Sequence, residues 1–551
     1  MRRALATVFT IGTLSTFALA AVLGLMLAVG QVSLGLAVAV VVLLNLLMLL
    51  VGPTVNDLIY RLLYDMEWVE PSDLRERSPA AAAVLEDVTE EYGYRTPKLG
   101  LIDDMNPTAF TYGSARFNAR VVLTEGCFEY LDDDEVASVM AHELGHVTAR
   151  DFITMTVANT LIQVLYLVAV YAWRAAATGT GGGGGRGRGG ARGLLFGVAL
   201  LSYLLWFLGE YVVLWLSRVR EYAADGFAAE WTDPDDMSQA LVKIAYGIVT
   251  SEDSPELAKA TRNIGIMDVA DSKDEGLIYH TVRDEGAPED LLTRSFLFDL
   301  KNPWARLLEL KSTHPLTGKR IRVLSREPGA DRFDFAAVLR REEVDRGRLW
   351  RQFLRDVGVL ALPVGLAVFF PLLYLGASLA LGAVPFSPFT LLGGWLVAIA
   401  VGMVAQTVYK YPRGEAADTT VLQELANVYA SPVRGTRVRL EGDLIGRGQA
   451  GYRFSEDLMF EDRTGLLYLV YDHWLPVVGD LLFSVRRVPD LVGSPARVEG
   501  WYFRGTGQYL GIRRLEAGDE TVRGFVHLGG YVAGAVLGAL GLAILGVGLA
   551  V

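Results

Sequence analysis

Long apolar runs alternate along this chain with charged stretches in which hydrophobic residues return every second, or every third to fourth, position. Ala4–Gly30 and Val32–Val51 carry no charge, and each is long enough to cross a bilayer. Val357–Phe386, Pro388–Val408 and Phe525–Val551 read the same way. Thr154–Ala172 and Gly193–Leu216 are less clean; they flank a glycine-rich loop, "TGTGGGGGRGRGGARG", and the second contains Glu210. Between these runs the period changes. Ser78–Tyr92 has helical spacing, whereas "PKLGLID", "TAFTYG" and "ARVVLTEG" alternate like short strands. Asp132 with Glu135 forms a capping box for a helix to about Arg150, with Val136, Val139, Met140, Leu144 and Val147 on its apolar side. From about 413 to 522, "RVRLEGDLI", "DLMFEDRTGLLYLVYD", "ARVEGWYFR" and "YLGIRRL" alternate again. They predict a small all-β barrel or sandwich with a hairpin turn at Thr464-Gly465.

The expected organisation follows. Residues 1–52 form a transmembrane hairpin, and 53–330 form a soluble α+β domain interrupted by a membrane hairpin at 154–216. A charged linker at 331–356 leads to a second hairpin at 357–408, the β domain at 413–522, which has an OB-like strand pattern, and a last span at 525–551. Arg2, Arg3 and Ala18-Leu19-Ala20 have the marks of a signal peptide, but the apolar run continues to Gly30 and a second follows at once, so a retained hairpin is expected.

Composition agrees with a multi-pass membrane protein: 52% of the 551 residues are hydrophobic, 21% charged, and the mean hydropathy is +0.31. A net charge of -12 argues against nucleic acid as a partner. The single cysteine, Cys127, forms no internal disulfide and suits a reducing compartment. Arginines before and after the later spans (Arg340, Arg341, Arg346, Arg355, Arg413, Arg523) predict that both soluble domains face the cytoplasm of the plasma membrane. Arg174, Arg186, Arg188 and Arg192, beside the glycine-rich loop, go against that rule.

The chemistry begins at "VMAHELGHVTARD". On a helix His142 and His146 share a face and can aim at one ion, while Glu143 lies about 100° around, within reach of a water held by it. The same pattern also describes a helix with two histidines that never meet a metal. A third ligand is needed, and "SRVREYAAD" offers Glu221, with Asp225 one turn on to accept the spare N–H of a ligating histidine. Alone, that segment reads equally as a solvated face where Arg218, Arg220, Glu221 and Asp225 exchange salt bridges.

Taken in order, "LDDDEVASVMAHELGHVTARD", a hydrophobic hairpin, "SRVREYAAD" and "THPLTGKRI" resemble the HtpX heat-shock protease family, membrane-bound zinc metallopeptidases related to the CaaX prenyl proteases. The resemblance runs from residue 1 to about 325. It implies a zincin-type (gluzincin) protease domain with one Zn2+ per chain on His142, His146 and Glu221, a general base at Glu143, and Asp225 supporting a ligand. His314 would stabilise the oxyanion or orient substrate, with Arg320 bracing the site; a capped turn before a helix accounts for that pair nearly as well. Thr108, Ala109 and Phe110 match the family's substrate-binding edge strand, with threonine where the family has asparagine; a plain structural strand is the alternative.

The function so implied is a membrane-embedded zinc endopeptidase of protein quality control and the stress response. It would cleave damaged or misfolded membrane proteins on the cytoplasmic side by attack of a zinc-activated water. The rival is a catalytically silent, protease-derived scaffold that binds partners through its β domain. Glu210 is expected to snorkel or pair, and His280, His473 and His527 to be structural. Trp474, Trp501 and Tyr502 are expected to serve the β domain's core or protein docking rather than nucleic-acid stacking.

Overall fold

Six of the described helices are long and apolar enough to cross a membrane. The computed structural model describes residues 34–178, 188–250, 289–379, 387–448, 455–505 and 508–550. The expected span Ala4–Gly30 and His280 lie outside them. The chain divides into two units. The first takes residues up to Ser272 together with Leu308–Phe333; the second takes Lys273–Leu307 together with Asp334–Val551.

In the first unit, α1 (Leu34–Leu63) runs from a lipid-type apolar stretch into a polar end. There Asp57 lies 2.8 Å from the Arg120 guanidinium and accepts from the Tyr112 hydroxyl at 2.9 Å. A four-stranded sheet follows in the order β1 (Glu67–Val69), β2 (Lys98–Ile102), β4 (Ala119–Thr124), β3 (Ala109–Gly113), with β2 and β4 parallel. Alternation sorts β3. Phe110 and Tyr112 join Tyr60, Met66, Ile102 and Val122 in a core under α1, while Thr111 points the other way, to α3 (Asp133–Ala149). Behind α3 pack α2 (Pro79–Glu91), α5 (Arg188–Trp231) and α6 (Pro234–Thr250), and α4 (Asp151–Thr178) pairs with α5 as the expected membrane hairpin. That hairpin is longer than the apolar runs, because α5 continues without a break into "SRVREYAAD".

The second unit holds α9 (Arg346–Leu379), α10 (Pro388–Lys410) and α12 (Leu528–Ala550), along with a shorter α7 (Pro303–Glu309) up to Leu307, while the end of α7 and α8 (Thr317–Leu324) belong to the first. Small residues let α10 and α12 touch in antiparallel: a Cβ on Gly541 would lie 2.7 Å from the Gly393 carbonyl, and one on Gly530 would strike Thr407. The stretch expected as a linker is structured. Asp334 caps a helix at Phe335–Arg341, and α9 begins at Arg346, since its charged first turns continue straight into the apolar run. Asp356 of α9 is buried and accepts from Trp304 Nε1 (3.1 Å), Ser431 Oγ (2.7 Å) and Tyr409 Oη (2.5 Å).

Between α10 and α12 lies a sheet-rich domain with β5 (Ala417–Asp418), β6 (Thr436–Arg447), β7 (Leu458–Asp462), β8 (Gly465–Val470), β9 (Pro495–Arg504), β10 (Gln508–Ala517) and β11 (Glu520–Arg523). Strands β6, β7, β8, β10 and β9 pair in a circuit that returns to β6, with β8 and β10 parallel. It is not purely β: Val421–Leu425, α11 (Val478–Arg486) and Val488–Leu491 are helical. The hairpin turn falls one residue earlier than expected, at Arg463-Thr464, because Asp462 pairs with Gly465 and its carboxylate accepts from the Thr464 N–H and hydroxyl.

Candidate metal centre

The helix that carries both histidines is held at its two ends. Asp132 accepts from the Glu135 N–H at 3.0 Å, and Glu135 accepts from the Asp132 N–H at 2.9 Å. Asp133 and Asp134 add two further acidic residues to the first turn, where the helix dipole favours them. Arg150 closes it in the left-handed region (φ 60°). Every residue from Glu135 to Val147 is buried, so α3 is enclosed on all sides rather than on one apolar face. Gly145, between the histidines, lets α5 come close: a Cβ there would stand 3.2 Å from Ala224 Cα. That approach carries Glu221 to the two imidazoles.

His142 Nε2 lies 3.6 Å from Glu221 Oε2, and His146 Nε2 lies 3.7 Å from Glu221 Oε1. One donor atom from each of the three falls within 4.8 Å of the others, and among the described residues no other group of histidine, cysteine and acidic side chains does this. The Nδ1 sides face outward to carboxylates. His142 Nδ1 is 3.1 Å from Asp225 Oδ1, and Asp225 is gripped by the Arg320 guanidinium at 2.8 and 2.6 Å. His146 Nδ1 is 2.7 Å from Asp151 Oδ2. Nδ1–H directed at a carboxylate leaves the Nε2 lone pair free and fixes the tautomer a metal needs.

The residues fit a divalent ion. His142 Nε2 and Glu221 Oε2 are buried with no hydrogen-bond partner, an expensive arrangement unless something positive lies between them. Burial works to lower the His142 pKa, but the adjacent carboxylates of Asp225 and Glu221 outweigh it and push the ring up to about 9. The pocket therefore stabilises positive charge. Two imidazole nitrogens and one carboxylate oxygen favour zinc among such ions.

Glu143 Oε2 accepts from the Thr111 hydroxyl at 2.6 Å, while its Oε1 is buried without a partner. Burial raises this carboxyl above its ordinary pKa, against the pull of both histidines and Thr111. His314, in the loop before α8, brings Nε2 to 3.7 Å from Glu221 Oε2. Arg218 fastens that loop by donating to the carbonyls of Glu309 and Ser312, both at 2.8 Å.

The remaining predicted residues divide. Thr108 bonds through its backbone to Thr124, and Ala109 and Phe110 are fully buried, so their side chains belong to the core. β3 is nevertheless an edge of its sheet. The bond from Thr124 N–H to Thr108 O sets the alternation and turns the backbone groups of Ala109, Thr111 and Gly113 to the open side. Sequence reasoning missed Thr111 and Asp151. Strand period puts Thr111 on the same side of β3 as Ala109, but which side meets α3 is set by the fold; Asp151 required the left-handed turn at Arg150. Glu210 does not stand apart from the site: with Asn159 it lines the same cavity of about 390 Å³ as His146, Glu221 and Thr111. Trp501 and Tyr502 are buried in the barrel, and Trp474 is exposed.

Residues 76–327 match the model of peptidase family M48. A protease HtpX homolog of Pyrobaculum calidifontis is 30% identical over 293 residues, 53% of this chain and 76% of that protein. A protease HtpX homolog of Methanothermobacter thermautotrophicus is 28% identical over 168 residues, 30% of this chain and 59% of that protein, less than two thirds of its length. Among solved structures, S. mikatae Ste24p aligns with 58% of this chain and 64% of its own at 15% identity and a TM-score of 0.36.

Proposed function

The chain belongs to peptidase family M48 as an HtpX-like membrane metallopeptidase, and from that premise we propose that it is a zinc endopeptidase working at the cytoplasmic face of the membrane. The observation that carries this reading is Glu221, delivered by α5 to within 3.7 Å of both Nε2 atoms, with the carboxylate of Glu143 buried in the same pocket. His142, His146 and Glu221 would hold the ion; zinc bound by three protein ligands keeps an open position, polarises a carbonyl and makes a water nucleophilic near neutral pH.

Glu143 takes the proton of the attacking water and returns it to the leaving amine. Thr111 holds that carboxylate by its hydroxyl, so the base is aimed before substrate arrives. His314 donates to the carbonyl oxygen as charge develops on it. Arg320 acts at one remove: it fixes Asp225, and Asp225 fixes the His142 ring. An extended polypeptide adds to the open edge of β3 through the backbone of Ala109 and Thr111, which makes selectivity for sequence loose. Damaged or misfolded membrane proteins are the substrate class this suits. The arginines flanking the later spans support the cytoplasmic orientation. The five-strand circuit with a helix between β8 and β9 supports an OB-like reading of the second domain.

The test is metal content and cleavage of an unfolded protein by the detergent-purified full chain. About one zinc per chain is expected in the wild type and in Glu143→Ala, with cleavage abolished in the latter, and zinc is lost from Glu221→Ala. Full turnover by Glu143→Ala would remove the assigned base. Zinc retained by a wild type that cleaves nothing would instead support the scaffold reading.

A further inference from the structure

One run of the barrel domain is apolar on the outside. Trp474 is 60% exposed, Val477 77%, and Leu475 44%. In α11, which follows at once, Val478, Leu481, Leu482 and Val485 stand at i, i+3, i+4 and i+7 and are each about half exposed. The opposite face of α11 is already used: Phe483 stacks on Tyr471 with ring centroids 3.8 Å apart. Apart from Ile445, every exposed large apolar side chain described between residues 411 and 527 lies in this run. A patch of this kind on a water-facing domain marks something that covers it.

The run is built rather than frayed. Val477 adopts φ 66°, a left-handed conformation that strains a β-branched residue. Asp480 holds it there, accepting from the backbone N–H of Val477 at 2.8 Å and of His473 at 2.7 Å.

Its location identifies the occupant. The carbonyl of Asp472 accepts from the Phe525 N–H at 2.8 Å, and Phe525 is three residues ahead of the membrane helix α12. Tyr411, the residue after the membrane helix α10, packs on Trp501, Phe503 and His527 of the same end of the barrel. Because α10 and α12 are antiparallel, both enter the bilayer from this side. Trp474 is two residues from Asp472, so the apolar run starts within a short chain reach of the membrane boundary. Exposed Arg486 ends α11, and exposed Arg513 lies over the Trp501 ring at 6.0 Å, at the end of the barrel where α10 and α12 attach, the basic flank expected of a helix lying in an interface with anionic headgroups.

We propose that Trp474–Val485 is a monotopic anchor: the turn and the outer stripe of α11 lie in the interfacial layer of the bilayer that the chain's own helices cross. The barrel is thereby laid against the membrane surface instead of hanging from two tethers.

The test uses the full chain in vesicles of phosphatidylcholine and phosphatidylglycerol. Cys127 is fully buried, with burial pushing its thiol up to about 11, so at neutral pH a spin label reports only an introduced cysteine. Labels at Val478→Cys, Leu482→Cys and Val485→Cys are compared with Leu360→Cys in α9 and Arg463→Cys in the β7–β8 turn. The three α11 labels should relax faster with oxygen and be shielded from a water-soluble nickel chelate, as Leu360→Cys is, while Arg463→Cys shows the reverse. Nickel access equal to that of Arg463→Cys would overturn the proposal. So would exclusion of both reagents, which would mean that protein, a second copy or a partner, covers the stripe. The unlabelled chain gives an independent reading: brominated phosphatidylcholine should quench the part of the tryptophan emission that Trp474→Phe removes. No quenching of that part would also overturn the anchor.

Discussion

Each histidine of the candidate metal centre answers to its own carboxylate. Asp225 and Asp151 orient His142 and His146 from different elements, and the two differ in what stands behind them: Arg320 grips Asp225 with two bonds, whereas Asp151 has the Arg220 guanidinium at 3.7 Å. Asp151→Asn should therefore loosen zinc by roughly 10–100-fold, measured by competition with a chelator; unchanged affinity would mean the 2.7 Å contact does not orient the ring. Thr111→Val keeps the shape and removes the donor to Glu143. It should lower kcat on the order of tenfold through misplacement of the base, with zinc content unaltered, and a loss of zinc instead would assign Thr111 to folding of the pocket. The pairs His142/His146 and Glu221/Asp225 were legible as shared helix faces because a helix writes i and i+4 neighbours into its sequence; joining the two pairs, and the part given to Glu143, leaned on the family resemblance. Asp151 and Thr111 were not legible, since one depends on the turn at Arg150 and the other on which face of β3 meets α3.

Whole elements are positioned by a few buried charges. Lys243 of α6 reaches the Glu135 carboxylate of α3 at 2.5 Å. Burial pushes Glu135 from an ordinary 4.5 up to about 7, although Lys243 and the Asp132 backbone work to lower it. A carboxyl raised in the folded state costs stability when it ionises: nothing below its unfolded pKa, increasingly as pH climbs, and fully above about 7. Lys243→Met leaves that carboxylate buried without a cation, a loss of about 3–5 kcal/mol when charged. The difference in melting temperature from wild type should accordingly widen between pH 5 and pH 8. A gap constant with pH would show that Glu135 stays protonated throughout. At this scale the capping box, the strands of the first unit and the barrel's alternation were readable in the sequence. The helices inside 331–356 were not, because hydropathy registers only the apolar part of α9 and ignores its charged first turns.

Across the molecule, the two units share the chain unequally. Asn302 donates to the carbonyls of Val428 and Ala430 at 2.8 and 3.1 Å, Trp304 donates to Asp356, and Arg504 donates to the Ser295 carbonyl at 2.9 Å. None of these pairings is visible as a pattern, since their partners lie 52 or more residues apart. A chain stopped after Glu343 keeps every residue of the metal centre but strips residues 295–304 of those partners. Limited proteolysis should then cut within that segment, and protection equal to the full chain would show that the segment does not need the second unit.

The return of the chain at Leu308, which brings His314 and Arg320 to the metal centre, has a consequence for heredity. The polypeptide passes from one unit to the other after Ser272, Leu307 and Phe333, so no one breakpoint in the gene separates them. A recombination event that tried to donate the peptidase alone would take with it a strip of its companion, or lose the arginine behind Asp225. The two are inherited as a single piece, and a ribosome making the chain lays down part of the second before it has finished the first.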